Sequence, residues 1–191
     1  MDKKRCGWCK GDTLYEEYHD KEWGVPLFDD RLLFEFLILE TFQAGLSWIT
    51  VLRKREHFRK AFDLFDYQKI ATYNDQKIAT LLSNRGIIRN RLKIEATIKN
   101  ARAFMSVQKQ YSSFSNYIWD FVSGKPVINT YKTLNQIPAH TPLAVKISKD
   151  LKQRGFKFVG PTVVYAHMQA TGMVNDHLVD CYRHSEITLK R

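Results

Sequence analysis

Two thiols and two imidazoles stand in pairs near the ends of this chain, Cys6 with His19 and His177 with Cys181. Together they make up the ligand set of a closed, tetrahedral structural zinc site. His177 and Cys181 are four residues apart, which on a terminal helical turn places both on one face. Cys9 and His184 keep the choice open, because Cys6-x-x-Cys9 is itself a zinc-type spacing and His184 is a further imidazole nearby. A second kind of chemistry sits in residues 34–51, FEFLILETFQAGLSWITV. One carboxylate, Glu40, lies near the end of an almost wholly apolar run, and an indole, Trp48, follows beyond Gly45. Acid and indole thus face one helix-to-helix corner. On the residues alone, a paired core acid and a space-filling indole have the better claim, because structural ion pairs also perturb carboxylates.

The elements that must position these groups are legible from local signals. Leu32, Leu33, Phe34, Phe36, Leu37, Ile38 and Leu39 predict a helix buried on most sides, capped by Asp29 or Asp30. Gly45 supplies the left-handed residue that closes it, and Ser47 caps a second helix opened by Trp48. That helix carries Val51, Leu52 and Phe58 inward and Arg53, Lys54 and Arg55 outward, until FDLFD interrupts it at 62–66. Earlier in the chain, Thr13 and Glu16 fit a capping box, so Tyr15, Tyr18 and His19 share one side of a short helix. Ordinary packing is the commoner fate of such an aromatic pair. EWGVP, residues 22–26, is a turn, and two short helices are predicted over 67–73 and 76–82.

A turn centred on Gly86 leads into a long helix with the stripe Ile94, Ile98, Ala101 and Met105. Arg85, Arg89, Arg91 and Lys93 crowd its start, where cations oppose the helix dipole and a bound phosphate would explain them. A weaker helix covers 115–122, and the stretch from Gly124 to Thr141 reads as loop. Thr141-Pro142 starts a helix with Leu143, Ile147 and Leu151 inward, and FKFVGP at 156–161 connects it tightly to another over 162–171. Backbone N–H groups at that second helix start, beside Gly160, suit a phosphate without base readout. Lys146, Lys149, Lys152, Arg154 and Lys157 tilt this hairpin towards nucleic acid and away from a plain helical pair.

Composition narrows the class. The 191 residues contain no Pro/Gly/Ser-rich linker, so 1–191 is expected to form a single domain. Thirty Lys+Arg against twenty Asp+Glu leave a net charge of +10, which favours a polyanionic partner. No signal-peptide core and no run of membrane-spanning length are present, so a soluble, cytoplasmic protein with no membrane partner is expected. Three cysteines argue for thiols or metal ligands and against a disulfide framework.

CGW at Cys6, YHDKEWGVP at Tyr18, LETFQAGLSWITVL at Leu39, GIIRNRLKI at Gly86, RGFKFVGPTVVYAHMQATG at Arg154 and VNDH at Val174 run in collinear order. Together they resemble the DNA-3-methyladenine glycosylase I family, over about residues 6 to 181. The resemblance implies an all-α, compact domain of the helix-hairpin-helix glycosylase type, its N- and C-termini joined by a structural Zn2+. The family's ligand pattern falls on Cys6, His19, His177 and Cys181, which leaves Cys9 out.

The reaction implied is hydrolysis of the N-glycosidic bond of 3-methyladenine in alkylated double-stranded DNA. Its products are the free base and an abasic site. Methylation at N3 makes the base a cation on a weakened bond, so the enzyme's main tasks are extrusion and selective binding. Aromatic faces suit such an electron-poor ring. By resemblance, Trp48 and Tyr15 stack on the flipped base, Tyr18, Trp8 and Trp23 complete the walls, and Glu40 accepts hydrogen bonds from the base and is the candidate catalytic carboxylate. Gly45 and Leu46 would lie against the duplex, with Arg89, Lys157 and the Gly160 helix start on phosphates. A monomer is expected. Two other classes stay in view. A non-catalytic DNA-binding module would not need a carboxylate among aromatics, and a lyase would need an amine nucleophile, for which no lysine stands out.

Overall fold

The computed structural model describes residues 3–189. A 3-10 turn at Gly7–Cys9 precedes α1 (Thr13–Lys21), α2 (Asp30–Gln43), α3 (Trp48–Leu52), α4 (Arg55–Ala61), α5 (Tyr67–Ile70) and α6 (Asp75–Ser83). The second half contains α7 (Arg91–Tyr111), α8 (Phe114–Asp120), β1 (Val127–Ile128), α9 (Pro142–Gln153), α10 (Pro161–Ala170), β2 (Val174–Asn175) and α11 (Tyr182–Leu189). The architecture is helical, as the resemblance implied. Every residue of α2 from Leu33 to Phe42 is buried, and α3, α7, α8 and α10 pack around it. A helix apolar on all sides has no solvent face to offer, so it becomes the axis on which its neighbours are laid.

Local codes explain most boundaries. Asp29 caps α2 by accepting the Leu32 N–H at 2.9 Å. Asn90 caps α7 through the Lys93 N–H at 3.1 Å, and Thr141 caps α9 ahead of Pro142. At α1 the cap is Asp12 and not Thr13: Asp12 keeps extended backbone and accepts the Tyr15 N–H at 3.0 Å. Glu16 accepts the Gly11 N–H at 3.2 Å, one residue before the cap, so the cap moves to Asp12 and the expected reciprocal box of Thr13 with Glu16 does not form.

Four further expectations are corrected. The helix opened by Trp48 is two helices, α3 and α4, and Arg55 points inward and not to solvent. It lies 7 % exposed and donates to Glu35 at 2.6 Å and to Glu22 at 2.6 Å, because a buried carboxylate on α2 requires a cation. The stretch after Gly124 is not all loop, since β1 pairs in parallel with β2, Val127 opposite Val174 and Ile128 opposite Asn175. Two residues are too few to show a period, so only the partner strand reveals them. His177 and Cys181 lie in the irregular turn before α11 and not on a helix.

One turn needs its glycine. Gly172 has φ +70°, and a Cβ there would stand 2.4 Å from the backbone of Val25 and Pro26. This close approach, with Leu27 N–H on the Thr171 carbonyl at 3.1 Å and Gly24 N–H on the Gln169 carbonyl at 3.0 Å, fastens the 22–26 turn to the end of α10. Trp23 is positioned by it.

Candidate active site and metal centre

Six side chains from five places in the chain meet at one pocket of about 210 Å³: Trp8, Tyr15, Tyr18, Trp23, Glu40 and Trp48. That is below the ~300–1,000 Å³ of sites for drug-sized ligands and suits a single flat ring system. Trp8, on the 3-10 turn, is the central wall. Its ring lies 4.8 Å from Tyr15 and 5.0 Å from Trp23, while Trp48 lies 5.5 Å from Tyr18. Tyr15 and Tyr18 reach the same side because residues three apart on α1 are neighbours.

Glu40 is 3 % exposed, and burial alone pushes its carboxyl up to about 8. Its Oε2 and the Trp48 Nε1–H are buried with no hydrogen-bond partner among the described residues. Each orphan costs about 1–3 kcal/mol, which a ligand carrying complementary groups would recover. Glu35, on the same helix, shows the ordinary outcome: it takes Arg55 at 2.6 Å and Arg59 at 2.8 Å. The ion pair that an apolar helix demands of a buried acid is therefore met at Glu35 and, among the described residues, absent at Glu40.

A second concavity shares Glu40, Gln43 and Ala166 with the pocket and opens between Ala44, Gly45 and Leu46 on one side and Thr162 and Val163 on the other. Gly45 has φ +85° with nothing near its Cβ position, and Leu46 is 43 % exposed. Lys93 holds this corner from below, its ammonium donating to the Phe42 and Ala44 carbonyls at 2.8 Å each. A cation there also complements the end of the α2 dipole. Lys93 therefore leaves the phosphate cluster expected from sequence; burial lowers its pKa as well. Arg91 faces Glu95 at 3.4 Å, whereas Arg89 is exposed with no ion pair among the described residues. In the α9–α10 hairpin, Arg154 is half-buried and likewise engaged within the protein, bound to Asp150 at 2.5 Å and to the Tyr111 hydroxyl at 2.7 Å. Lys157 is exposed. Its backbone is gripped by buried Asn100, which accepts its N–H at 2.7 Å and donates to its carbonyl at 3.1 Å, and Gly160 caps α10 with no side chain of its own.

The chain ends converge behind the aromatic wall. Cys6, His19, His177 and Cys181 are all buried, and their ligand atoms lie within 4.8 Å of one another, an arrangement fitted to a metal ion. Cys181 Sγ is 3.4 Å from His19 Nε2 and 3.6 Å from His177 Nδ1, and Cys6 Sγ is 3.7 Å from His177 Nδ1. The outward nitrogens are oriented as metal-bound imidazoles usually are, His19 Nδ1 on Asp20 at 2.8 Å and His177 Nε2 on the Trp23 carbonyl at 3.0 Å. Arg5 in turn holds Asp20 at 2.8 Å. Cys9 turns away and donates to the Cys6 carbonyl at 3.2 Å, and His184 bonds the Asn129 carbonyl at 2.8 Å. Pocket and cluster share walls: Trp8 lies 5.3 Å from His19, and Trp23 lies 4.6 Å from His177. Gly24 keeps that contact open, because a Cβ there would press on the His177 ring at 3.1 Å.

Sequence reasoning overlooked four further lining residues, Gln43, Ile137, Ala166 and Gln169. Ile137 lay in a stretch without periodicity. Gln169 stood inside a quoted motif but was assigned no role, since a polar residue on a helix reads as solvated.

These observations can be set beside known proteins. The Methyladenine glycosylase family model matches residues 8–184. A DNA-3-methyladenine glycosylase of Haemophilus influenzae is 49 % identical over 177 residues, covering 93 % of this chain and 96 % of that protein. A crystal structure of a 3-methyladenine DNA glycosylase I superposes with a TM-score of 0.91 at 50 % identity, over 94 % of this chain and 98 % of that one. A variant of a 3-methyladenine DNA glycosylase I in complex with 3-methyladenine superposes with a TM-score of 0.90 at 38 % identity, over 93 % and 96 %. With the fold, the buried Cys/His cluster and the sequence in agreement over nearly the whole chain, the protein belongs to the methyladenine glycosylase family.

Proposed function

We propose that this protein removes 3-methyladenine from alkylated double-stranded DNA by hydrolysis, leaving an abasic site and cutting no strand. One observation carries the reading at the level of the site: a buried carboxylate with no ion pair among the described residues, enclosed by aromatic rings. Methylation at N3 leaves the base positively charged, and the charge is lost when the bond from C1′ to the base breaks. Electrons of that bond pass to the ring, so the base departs neutral with no proton required from the protein, and water adds to C1′ and releases one proton to solvent. Tyr15 and Trp48 stack on the extruded ring, Tyr18, Trp8 and Trp23 enclose it, and Glu40 accepts from its N–H edge. The cation favours the ionised form of Glu40 that burial disfavours, so a methylated base gains what a neutral adenine does not. Gly45 and Leu46 take the place the base has left.

The four-residue cluster would hold a structural zinc ion, which when bound supplies a cross-link between the chain ends and no chemistry at the base. Zinc bonds of ~2.3 Å to sulfur and ~2.05 Å to nitrogen at tetrahedral angles separate the two atoms by about 3.6 Å. The observed separations of 3.4, 3.6 and 3.7 Å fit that figure.

Incubating the purified protein with methylated duplex DNA and identifying the released base by chromatography tests the reading. Release of 3-methyladenine, with strand breaks only after alkaline treatment, is expected. DNA binding without base release would make the protein a binding module and end the proposal. Phosphate contacts through Lys157, Arg89 and the α10 start at Gly160 should make DNA affinity fall steeply with salt. Lys157→Glu or Arg89→Glu should weaken lesion and normal duplex alike and reduce the salt slope by about 1 for each phosphate no longer neutralised. Salt-insensitive binding, or variants that bind as wild type, would move the DNA face elsewhere.

A further inference from the structure

Gln169, in the last turn of α10, lines the pocket that holds Glu40. Its side-chain amide is not free to choose its orientation. Nε2 donates to Asp176 Oδ2 at 2.8 Å, and Asp176 is 1 % exposed. The same carboxylate accepts from the Tyr165 hydroxyl at 2.5 Å and from Asn129 Nδ2 at 2.6 Å, so donors surround it. Turning the amide over would set its oxygen against a carboxylate, which only accepts. The main chain is held too, because the Gln169 carbonyl takes the Gly24 N–H at 3.0 Å. Oε1 has no hydrogen bond among the described residues and is not one of the buried unpartnered atoms, so it is an accessible, unengaged acceptor on a residue that lines the pocket.

We infer that Gln169 is a specificity-determining residue, presenting Oε1 to the base as a second fixed acceptor beside Glu40, and that Asp176 is the positioning residue that fixes it. The inference rests on the base-removal reading above and adds a rule of selection to it. Two acceptors in one apolar enclosure match a base edge that carries two N–H donors, such as the exocyclic amine of 3-methyladenine. A purine with a carbonyl at that edge, such as 3-methylguanine, would set acceptor against acceptor. A site built to receive hydrogen bonds rejects an analogue that cannot supply them far more strongly than a merely apolar site does. Glu40 alone could be satisfied by one donor; the pair requires two.

The test compares initial rates of 3-methyladenine and 3-methylguanine release from the same methylated DNA. Gln169→Met keeps length and loses the acceptor, so kcat/KM for 3-methyladenine should fall by about tenfold. The 3-methylguanine value should fall less or rise, and the ratio should shrink. Asp176→Asn offers Gln169 a donor as well as an acceptor, so its amide can take either orientation. It should shrink the ratio in the same direction with Gln169 intact, provided metal content and melting match wild type; if it does not fold, Gln169→Met decides alone. An unchanged ratio in Gln169→Met, whether both rates hold or both fall equally, would overturn the inference and leave Gln169 a packing residue. Wild-type protein that releases no 3-methyladenine would overturn the underlying reading instead.

Discussion

Replacement of Glu40 by alanine or glutamine is expected to reduce 3-methyladenine release by about 100-fold, the scale of a lost hydrogen bond to a charged group in a dry site, while duplex affinity stays near wild type. The split arises because the residues proposed to hold phosphates, Arg89, Lys157 and Gly160, are not among those lining the pocket that Glu40 serves. The pH profile gives a sharper test. Burial raises the Glu40 carboxyl from 4.5 to about 8 in the free protein. Since kcat/KM reports ionisations of the free enzyme, it should rise with pH towards a plateau above about 8, and Glu40→Gln should flatten that rise. Stability runs the other way. Between 4.5 and about 8 the unfolded chain has released this proton and the folded chain retains it. The native state therefore binds more protons, and wild-type stability should decline with rising pH across that window. Glu40→Gln should lose this component, so its melting temperature should improve relative to wild type at pH 8 more than at pH 5. Trp48→Ala should fold and lose a stacking surface worth about 1–3 kcal/mol. A Glu40→Gln variant with wild-type release and an unaltered profile would remove Glu40 from base recognition.

Loss of the metal should be the second large effect. Elemental analysis should find one zinc per chain, absent from Cys6→Ser and Cys181→Ser and retained in Cys9→Ser, whose thiol donates to the Cys6 carbonyl and is not one of the four clustered ligand groups. Zinc contributes about 10 kcal/mol or more to small zinc-finger peptides; here a large core shares the task, so a lowered melting temperature with the fold retained is expected. The geometry adds a functional consequence. Trp8 rests against His19, and Trp23 rests against His177 with its carbonyl taken by that ring. Chelation should therefore weaken binding of free 3-methyladenine, followed by titration, before it weakens binding of plain duplex DNA. Wild-type protein that carries no metal and melts unchanged in the presence of chelator would dismiss the zinc reading, and loss of metal with base affinity intact would uncouple the cluster from the pocket.

What the sequence determined by itself was whatever neighbouring residues decide among themselves. The apolar girdle of α2 forces its burial, Gly45 takes a left-handed turn that few other residues accept, and Asn90 and Thr141 start helices through N–H groups three residues away. The Cys and His candidates were visible as well, because metal chemistry restricts ligands to a few residue types, while the family pattern chose Cys6 over Cys9 and the fold turned Cys9 and His184 to backbone carbonyls. Partnerships across space were not. Arg53, Lys54 and Arg55 form one cationic run on paper, yet only Arg55 meets Glu35, twenty residues back, and goes inside. Lys93 joined a phosphate cluster in sequence and in the fold caps α2 from about fifty residues away, at the Phe42 and Ala44 carbonyls. Gln169 and Asp176 are seven apart, and nothing local says that one will orient the other towards a pocket. Backbone conformation responds to near neighbours, so it can be read along the chain. A buried polar group must be satisfied by whatever packing brings within about 3 Å, so its role is settled only when the helices have closed around it.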